Sequence, residues 1–411
     1  MKSLIVILFL TVLVACKTDS EENTKPITIK DDVSFLADDK LEGRQTGSDG
    51  EKAAADYIAL RFKNLGLSAK GTQDYFQTFS FKPKTDPHQE VNYTVKDGDS
   101  TITGTNVIGF LDNQAENTII IGAHYDHLGY GAEGSLFRGE TQEIHNGADD
   151  NASGVAVLLN LAEKLKSANT GNNYLVMAFS GEEMGLLGSN YFTKNPTIDI
   201  AKGNYMINMD MVGRLKQDST LAVYGVGTSP ILKQVIRANN SKFKIILNES
   251  GVGPSDHTSF YNSDIPVLHF FTGQHEDYHK PGDDSEKLNY EGMETISNYI
   301  FEIISDLDNN GKLPFRKTKN ESEEVPRFKV GLGVIPDYLF DGKGMRIDGI
   351  SEDRPAQKAG LQKGDIVIKL GDSLVTDMMS YMMALSTYDE GDKTKVVVRR
   401  GEDEVEADIE F

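Results

Sequence analysis

An α/β fold, a mostly parallel sheet sandwiched by helices, is predicted by two observations. Apolar, β-rich runs alternate along the chain with segments of helical periodicity, the pattern that builds a sheet covered on both faces. One of those runs, 173–180 (NYLVMAFS), is almost continuously apolar, as expected of a strand buried on both sides. A third observation separates a small β-rich module at 328–411 from this body: a polar, charged stretch at 309–327 reads as a linker.

The elements follow in order. Glu51 to Gly66 has apolar residues at helical spacing and a glycine stop, and predicts a helix. Runs 105–112 and 117–124 predict strands either side of a polar turn. A helix is predicted at 154–168, a strand at 173–180 and a helix at 185–194. Strands are predicted at 205–211, 220–225 and 265–271, and helices at 229–239 and 291–306. The domain division expected is 1–15, 16–29, 30–308, 309–327 and 328–411. The linker has no apolar pattern that would pack it, so the last module is expected at a variable distance from the main body.

With 411 residues and 38% hydrophobic residues the chain can form more than one core. A net charge of −21 excludes nucleic acid as an expected partner, since no Lys/Arg stripe offsets it. The single cysteine, Cys16, removes disulfides, Cys-based zinc sites and thiol catalysis from the folded body. It closes "MKSLIVILFLTVLVAC", whose apolar run is short for a membrane span and reads as a signal peptide over 1–15. Leu13-Val14-Ala15-Cys16 resembles a bacterial lipobox. That resemblance implies that Cys16 is lipidated, that 16–29 is a tether, and that the protein is exported and held to the cell envelope by a lipid anchor alone.

Polar residues gather where the strands end. His124 follows one apolar run, Glu182 and Glu183 another, and Asp210 a third. Ligands of open α/β sheets bind outside the carboxyl ends of strands, so these distant residues are expected to be neighbours. Asp149, from the acidic pair in "HNGADDNASG", and His279, from "HEDYHKPGDD", complete a set of imidazoles and carboxylates that suits zinc. Five ligands exceed one tetrahedral ion with an open position. They suit two zincs sharing a bridging carboxylate.

In this order, "GAHYDHLG", "NGADDNASGVA", "FSGEEMGLLGS", "NMDMVGR", "SDHTSF" and "YHKPGDD" resemble the di-zinc aminopeptidases of the aminopeptidase S and Y type. "LEGRQTGSDGEKAAADYI" resembles that family's N-terminal motif. The resemblance covers roughly 30–308 and implies a zinc exopeptidase-like fold, two zinc ions and removal of N-terminal residues from peptides. It implies His124 and Asp210 on one zinc, Glu183 and His279 on the other, and Asp149 as the bridge. Glu182 is implied as general base, and Tyr278 as a hydroxyl for the tetrahedral oxyanion. Asp150 resembles the residue that follows a cis peptide. Asp126 is expected to orient His124, and Asp283 to act similarly near His279. His257 is not assigned as a ligand, and His88, His127, His145, His269 and His275 are read as ordinary structural histidines. Carboxypeptidases, dipeptidases and glutaminyl cyclases share the scaffold and remain alternatives, as does a non-catalytic peptide-binding lipoprotein.

The C-terminal part, with "AGLQKGDIVIKLGD", resembles a bacterial PDZ domain. Gly331-Leu332-Gly333-Val334 resembles the loop whose backbone N–H groups hold a C-terminal carboxylate, which implies a peptide ligand added as an extra strand.

Overall fold

The computed structural model describes residues 26–83, 92–96, 98–168, 171–319, 329–340, 342–351 and 353–411. Cys16, the lipobox-like stretch and His88 lie outside the described residues.

The first layer of structure is helical. Helix α1 (Ile29–Leu36) starts at a capping box between Thr28 and Asp31, and α2 (Asp49–Leu65) runs from the Ser48 cap to Gly66, whose φ of 81° ends it. The central sheet is then built from β1 (Ser68–Ala69), β2 (Phe76–Phe81), β3 (Ile102–Leu111), β4 (Thr118–His124), β5 (Asn173–Phe179), β6 (Gly203–Met209), β7 (Thr220–Tyr224), β8 (Lys244–Leu247) and β9 (Val267–Phe271). Strand order is β1-β3-β5-β4-β6-β9-β7-β8, with β2 on β3. The run β5-β4-β6-β9 is parallel, while β3 against β5 and β7 against β9 are antiparallel. The sheet is therefore mixed, with its parallel part at the centre.

Strands β4, β5 and β6 are buried at every residue, which explains their largely apolar sequences; the polar exceptions include Asn204 and Asn208 inside β6. The two faces separate with period two. Ile119 and Ile121 pack into the core shared with α1, α2, α3 (Gly154–Lys166), α5 (Leu232–Ala238) and α7 (Tyr290–Leu307). Ile120 faces the other core, with Phe192 of α4 (Leu187–Lys194) and Phe260 of α6 (His257–Tyr261). Because β4, β5, β6 and β9 run the same way, their C-terminal ends share one edge of the sheet.

The C-terminal module is antiparallel. Strands β10 (Val334–Pro336), β11 (Met345–Ile350), β12 (Ile366–Leu370), β14 (Lys393–Arg400) and β15 (Asp403–Glu410) follow in that order, with β13 (Ser373–Leu374) on β12. Helices α8 (Pro355–Lys358) and α9 (Met378–Leu385) complete it around a core that includes Leu332, Ile347, Val367, Leu385 and Val396. The described part of the linker, 309–319, departs from expectation. Leu313 is buried, Phe315 packs against Tyr261, and the Arg316 N–H donates to the Thr228 carbonyl at 2.8 Å. Thr318 N–H donates to the Tyr261 hydroxyl at 2.9 Å. Two hydrophobic side chains and a few backbone bonds suffice to seat a stretch whose composition is otherwise polar.

Candidate metal centre

Three strands deliver side chains to the shared edge. His124 is the last residue of β4, Glu182 and Glu183 lie three and four residues past β5, and Asp210 follows β6 directly. The turn before α3 contributes Asp150, and the segment after β9 contributes Tyr278 and His279.

Asp150 is the hinge of the arrangement. Its Oδ1 lies 3.3 Å from His124 Nε2 and its Oδ2 lies 3.1 Å from His279 Nε2. His124 Nε2 also meets Asp210 Oδ1 at 3.4 Å, and His279 Nε2 meets Glu183 Oε2 at 3.2 Å. Two ligands of one tetrahedral zinc, each about 2.0–2.2 Å from the ion, stand roughly 3.4 Å apart. All four separations fall near that value. Glu182 Oε2 sits farther from His124 Nε2, at 3.9 Å.

The carboxylate set between His124 and His279 is therefore that of Asp150, one residue after the Asp149 expected from sequence. Asp149 is turned into the protein: its Oδ1 accepts from the Gly213 N–H at 2.6 Å and the Ser153 hydroxyl at 3.0 Å. Its Oδ2 lies 3.3 Å from His275 Nε2. The cis peptide is likewise Asp150–Asn151, not Asp149–Asp150. Two adjacent aspartates in a run of small residues look alike in sequence, and the backbone path decides which one faces the cleft. That path needs Gly147, because a Cβ there would come within 2.2 Å of the Asp150 carbonyl oxygen.

Asp283 also acts elsewhere than expected. Its Oδ2 accepts from the N–H groups of Asp149 and Asp150 at 2.9 and 3.0 Å. It thus holds the bridging turn, while His279 Nδ1 is fixed by the Gly134 carbonyl at 3.0 Å. Asp126 does lie beside His124: Nδ1 is 3.3 Å from its carbonyl oxygen and 3.7 Å from its Oδ1. The same carboxylate accepts from the Glu182 N–H at 3.1 Å and from the Thr46 hydroxyl at 2.9 Å.

Three residues beside the cluster have no role assigned from sequence, and one of them, His127, is read there as an ordinary structural histidine. His127 Nδ1 lies 2.7 Å from Glu183 Oε1, a hydrogen-bond spacing shorter than that of two ligands across an ion. Although its other nitrogen is unpartnered, we read it as the group that orients Glu183. Arg44 is buried and donates to the carbonyls of Tyr125, Leu36, Asn146 and Gly147, tying the N-terminal motif to both the His124 strand end and the acidic turn. Thr46 is the third. The "LEGRQTG" motif was the available signal for Arg44 and Thr46; for His127 it was its place three residues after His124. His257 is buried and stacked on His269 with centroids 4.5 Å apart, away from the four ligand-spaced contacts.

Electrostatics fit a cation. Burial opposes charge on His279, yet Glu183 and Asp150 overcome it and hold its pKa up at about 11. His124 is likewise held well above the usual imidazole range, against its burial, by Glu182 and Asp210. Glu182 is raised well above the usual carboxylate range, chiefly by burial. Tyr278 is raised well above the usual phenol range by burial and then by Asp150 and Glu183. Positive charge is favoured on both imidazoles by four carboxylates, of which Asp150 is buried and Glu182, Glu183 and Asp210 are partly buried. His124 Nε2, buried with no hydrogen-bond partner, is a donor atom aimed into this space. The donor set of two imidazoles and three ligand-spaced carboxylates fits zinc.

Residues 106–304 match peptidase family M28. Residues 315–411 match the PDZ domain. The chain is 29% identical over 198 residues to the alkaline phosphatase isozyme conversion protein of Escherichia coli, an alignment covering 47% of this chain and 53% of that one. It is 26% identical over 225 residues to aminopeptidase YwaD of Bacillus subtilis, covering 52% of this chain and 46% of the relative. The chain spans about half the length of the curated relatives it matches. In fold it is similar to a glutaminyl cyclase from Porphyromonas gingivalis, with a TM-score of 0.54 at 18% identity, covering 68% of this chain and 97% of that one.

Proposed function

We propose that this protein is a zinc-dependent aminopeptidase with two zinc ions per chain. The observation that carries the reading is the Asp150 carboxylate, set between His124 and His279 with one oxygen toward each. His124, Asp210 and Asp150 would hold one ion, and His279, Glu183 and Asp150 the other. Zinc held there would supply a bound water of lowered pKa and Lewis acidity toward a carbonyl.

The protein's own groups do the rest. Glu182 stands at the edge of the cluster, beyond ligand spacing from His124, and takes the proton of the attacking water before passing it to the leaving amine. Asp126 fixes that glutamate through its backbone N–H. Tyr278 keeps its proton at working pH and donates its hydroxyl to the tetrahedral oxyanion. The cleft favours a free amino end. Carboxylates dominate it, and two arginines packed around it are engaged, Arg44 with four carbonyls and Arg214 with Asp277. Such a field attracts an α-ammonium and repels a free α-carboxylate. A glutaminyl cyclase needs no second ion, so the Asp150 geometry also supports the peptidase reading over that one.

Two further parts of the reading come from sequence. The stretch ending at Cys16 supports export and a lipid anchor on the cell envelope. The Gly331–Val334 loop supports capture of a peptide C-terminus: β10, which follows it, pairs only with β11 among the described residues, so its other edge is open to an added strand.

The test is incubation of the soluble body with a mixed peptide library plus zinc, read by mass spectrometry. Stepwise loss of N-terminal residues, abolished by a chelator, is expected. Glu182→Gln should keep its zinc and lose turnover by roughly 10²–10⁴-fold. Trimming from the C-terminus, or near-normal kcat in that variant, contradicts the assignment.

A further inference from the structure

Segment 273–283 carries Tyr278, His279 and Asp283, yet it contains no helix or strand. Backbone of this kind is held by what packs against it. One side is the M28 domain. The other side is the PDZ domain.

The contact centres on Leu339, in the connection between β10 and β11. Leu339 is 4% exposed but is not part of the PDZ core. Gly273, at the start of the segment, lies against it: a Cβ on Gly273 would lie 2.7 Å from Leu339 Cδ1. Gly273 also has φ of +97°, so a glycine serves both the turn and the close approach. To one side, Lys216 of the M28 domain pairs with Asp348 of β11 at 3.1 Å. Between these anchors Glu276 and Lys280, the latter next to His279, face Asp348–Ile350, Gln357 and Leu361–Lys363 across a cavity of about 430 Å³. The seated linker adds the attachment at Thr228 and Tyr261.

We propose that the PDZ domain is a positioning element of the metal cleft. Seated by Leu339 on Gly273 and by Asp348 on Lys216, it fixes segment 273–283 and so sets where Tyr278 and His279 stand. The variable spacing expected from the linker composition gives way to a docked domain with a direct hold on the catalytic loop. The catalytic part of this inference rests on the aminopeptidase reading; the docking part does not.

The full-length soluble chain tests it, with Leu339→Asp to break the contact and Leu339→Met to preserve it. Hydrogen exchange by mass spectrometry should show segment 273–283 exchanging roughly 10-fold faster or more in Leu339→Asp, with β4, β5 and β6 unchanged. The kcat for a small aminoacyl nitroanilide should fall roughly 10-fold with little change in KM, since misplacing a positioned group costs rate even on a substrate too short to touch the PDZ domain. Leu339→Met should restore both. Wild-type protection over 273–283 in a folded Leu339→Asp chain overturns the proposal whatever its activity. Faster exchange with unchanged kcat overturns the catalytic part. If the wild-type chain cleaves no peptide, the functional reading fails, and the exchange result still decides the docking.

Discussion

His124 and His279 present the same nitrogen to the same Asp150 carboxylate, at 3.3 and 3.1 Å, from opposite kinds of backbone. His124 ends a strand buried at every residue, flanked by parallel neighbours on both sides. His279 sits at φ of 53° in a segment without regular structure, and its ring is fixed by a carbonyl from another loop. Strand ends place one half of the cluster through the hydrogen-bond ladder of the sheet. The other half depends on side-chain seats and on a neighbouring domain. Rigidity is thus unequal across one site, and adjustability is concentrated on the side of Glu183, Tyr278 and His279.

The largest effect should come from the residue that joins the halves. Asp150→Asn should lose most of both metals and lower kcat/KM by about 10³-fold or more, because a neutral amide replaces a shared anionic ligand. Asp149→Asn should retain metal and most activity, since that carboxylate faces Gly213, Ser153 and His275 rather than the cleft. Metal content by plasma mass spectrometry separates the two. Loss of both ions from Asp149→Asn with retention in Asp150→Asn would return the bridge to the first aspartate.

Titration sharpens the comparison next. In the metal-free cluster both imidazoles are held protonated above their usual range, His279 up to about 11. A metal binds only the deprotonated nitrogen, so binding at pH 7 to 8 releases these protons. The sign follows: affinity falls as pH falls, by about 10-fold per unit for each proton released. Calorimetry in buffers of different ionisation enthalpy should count about two protons for two ions. Glu183→Gln removes the charge that does most to raise His279 and should reduce the count on the loop half only. A count of zero in the wild type would mean that the imidazoles are not ligands.

How much of this was legible in sequence differs between the halves in the same way. Strands β4, β5 and β6 announce themselves as largely apolar runs, and His124, Glu182, Glu183 and Asp210 stand at or within four residues of their ends. Residues 273–283 have no periodicity, so only motif resemblance pointed to Tyr278 and His279. Resemblance also failed by one residue at Asp149 and Asp150, where neighbouring identical side chains leave the facing direction to a turn that no pattern encodes. Short edge strands such as β1 and β8 were missed because two to four residues carry no period. The seat of the PDZ domain was invisible because it uses isolated residues, Leu339 and Leu313, far apart in sequence from what they touch.

The smallest expected effect probes the support behind the strand half. Asp126 is buried, and its two carboxylate oxygens accept from the Thr46 hydroxyl and the Glu182 N–H at 2.9 and 3.1 Å. Thr46→Val keeps the volume and removes the hydroxyl donor. A buried carboxylate left with an unmet lone pair should destabilise the fold by about 1–3 kcal/mol, read as a lower unfolding midpoint. Asp126 then gains freedom to turn, and with it the seats of His124 and of the Glu182 backbone loosen. Support this far from the metals should cost less than the 10–100-fold typical of a group touching a ligand, so about 3–10-fold in kcat is expected. Thr46→Ser, which keeps the hydroxyl, should restore kcat. The His279 ring offers no matching side chain to remove, because it is steadied by a backbone carbonyl. If Thr46→Val and Thr46→Ser behave alike, the hydroxyl is not what steadies Asp126, and the strand half is rigid through its backbone alone.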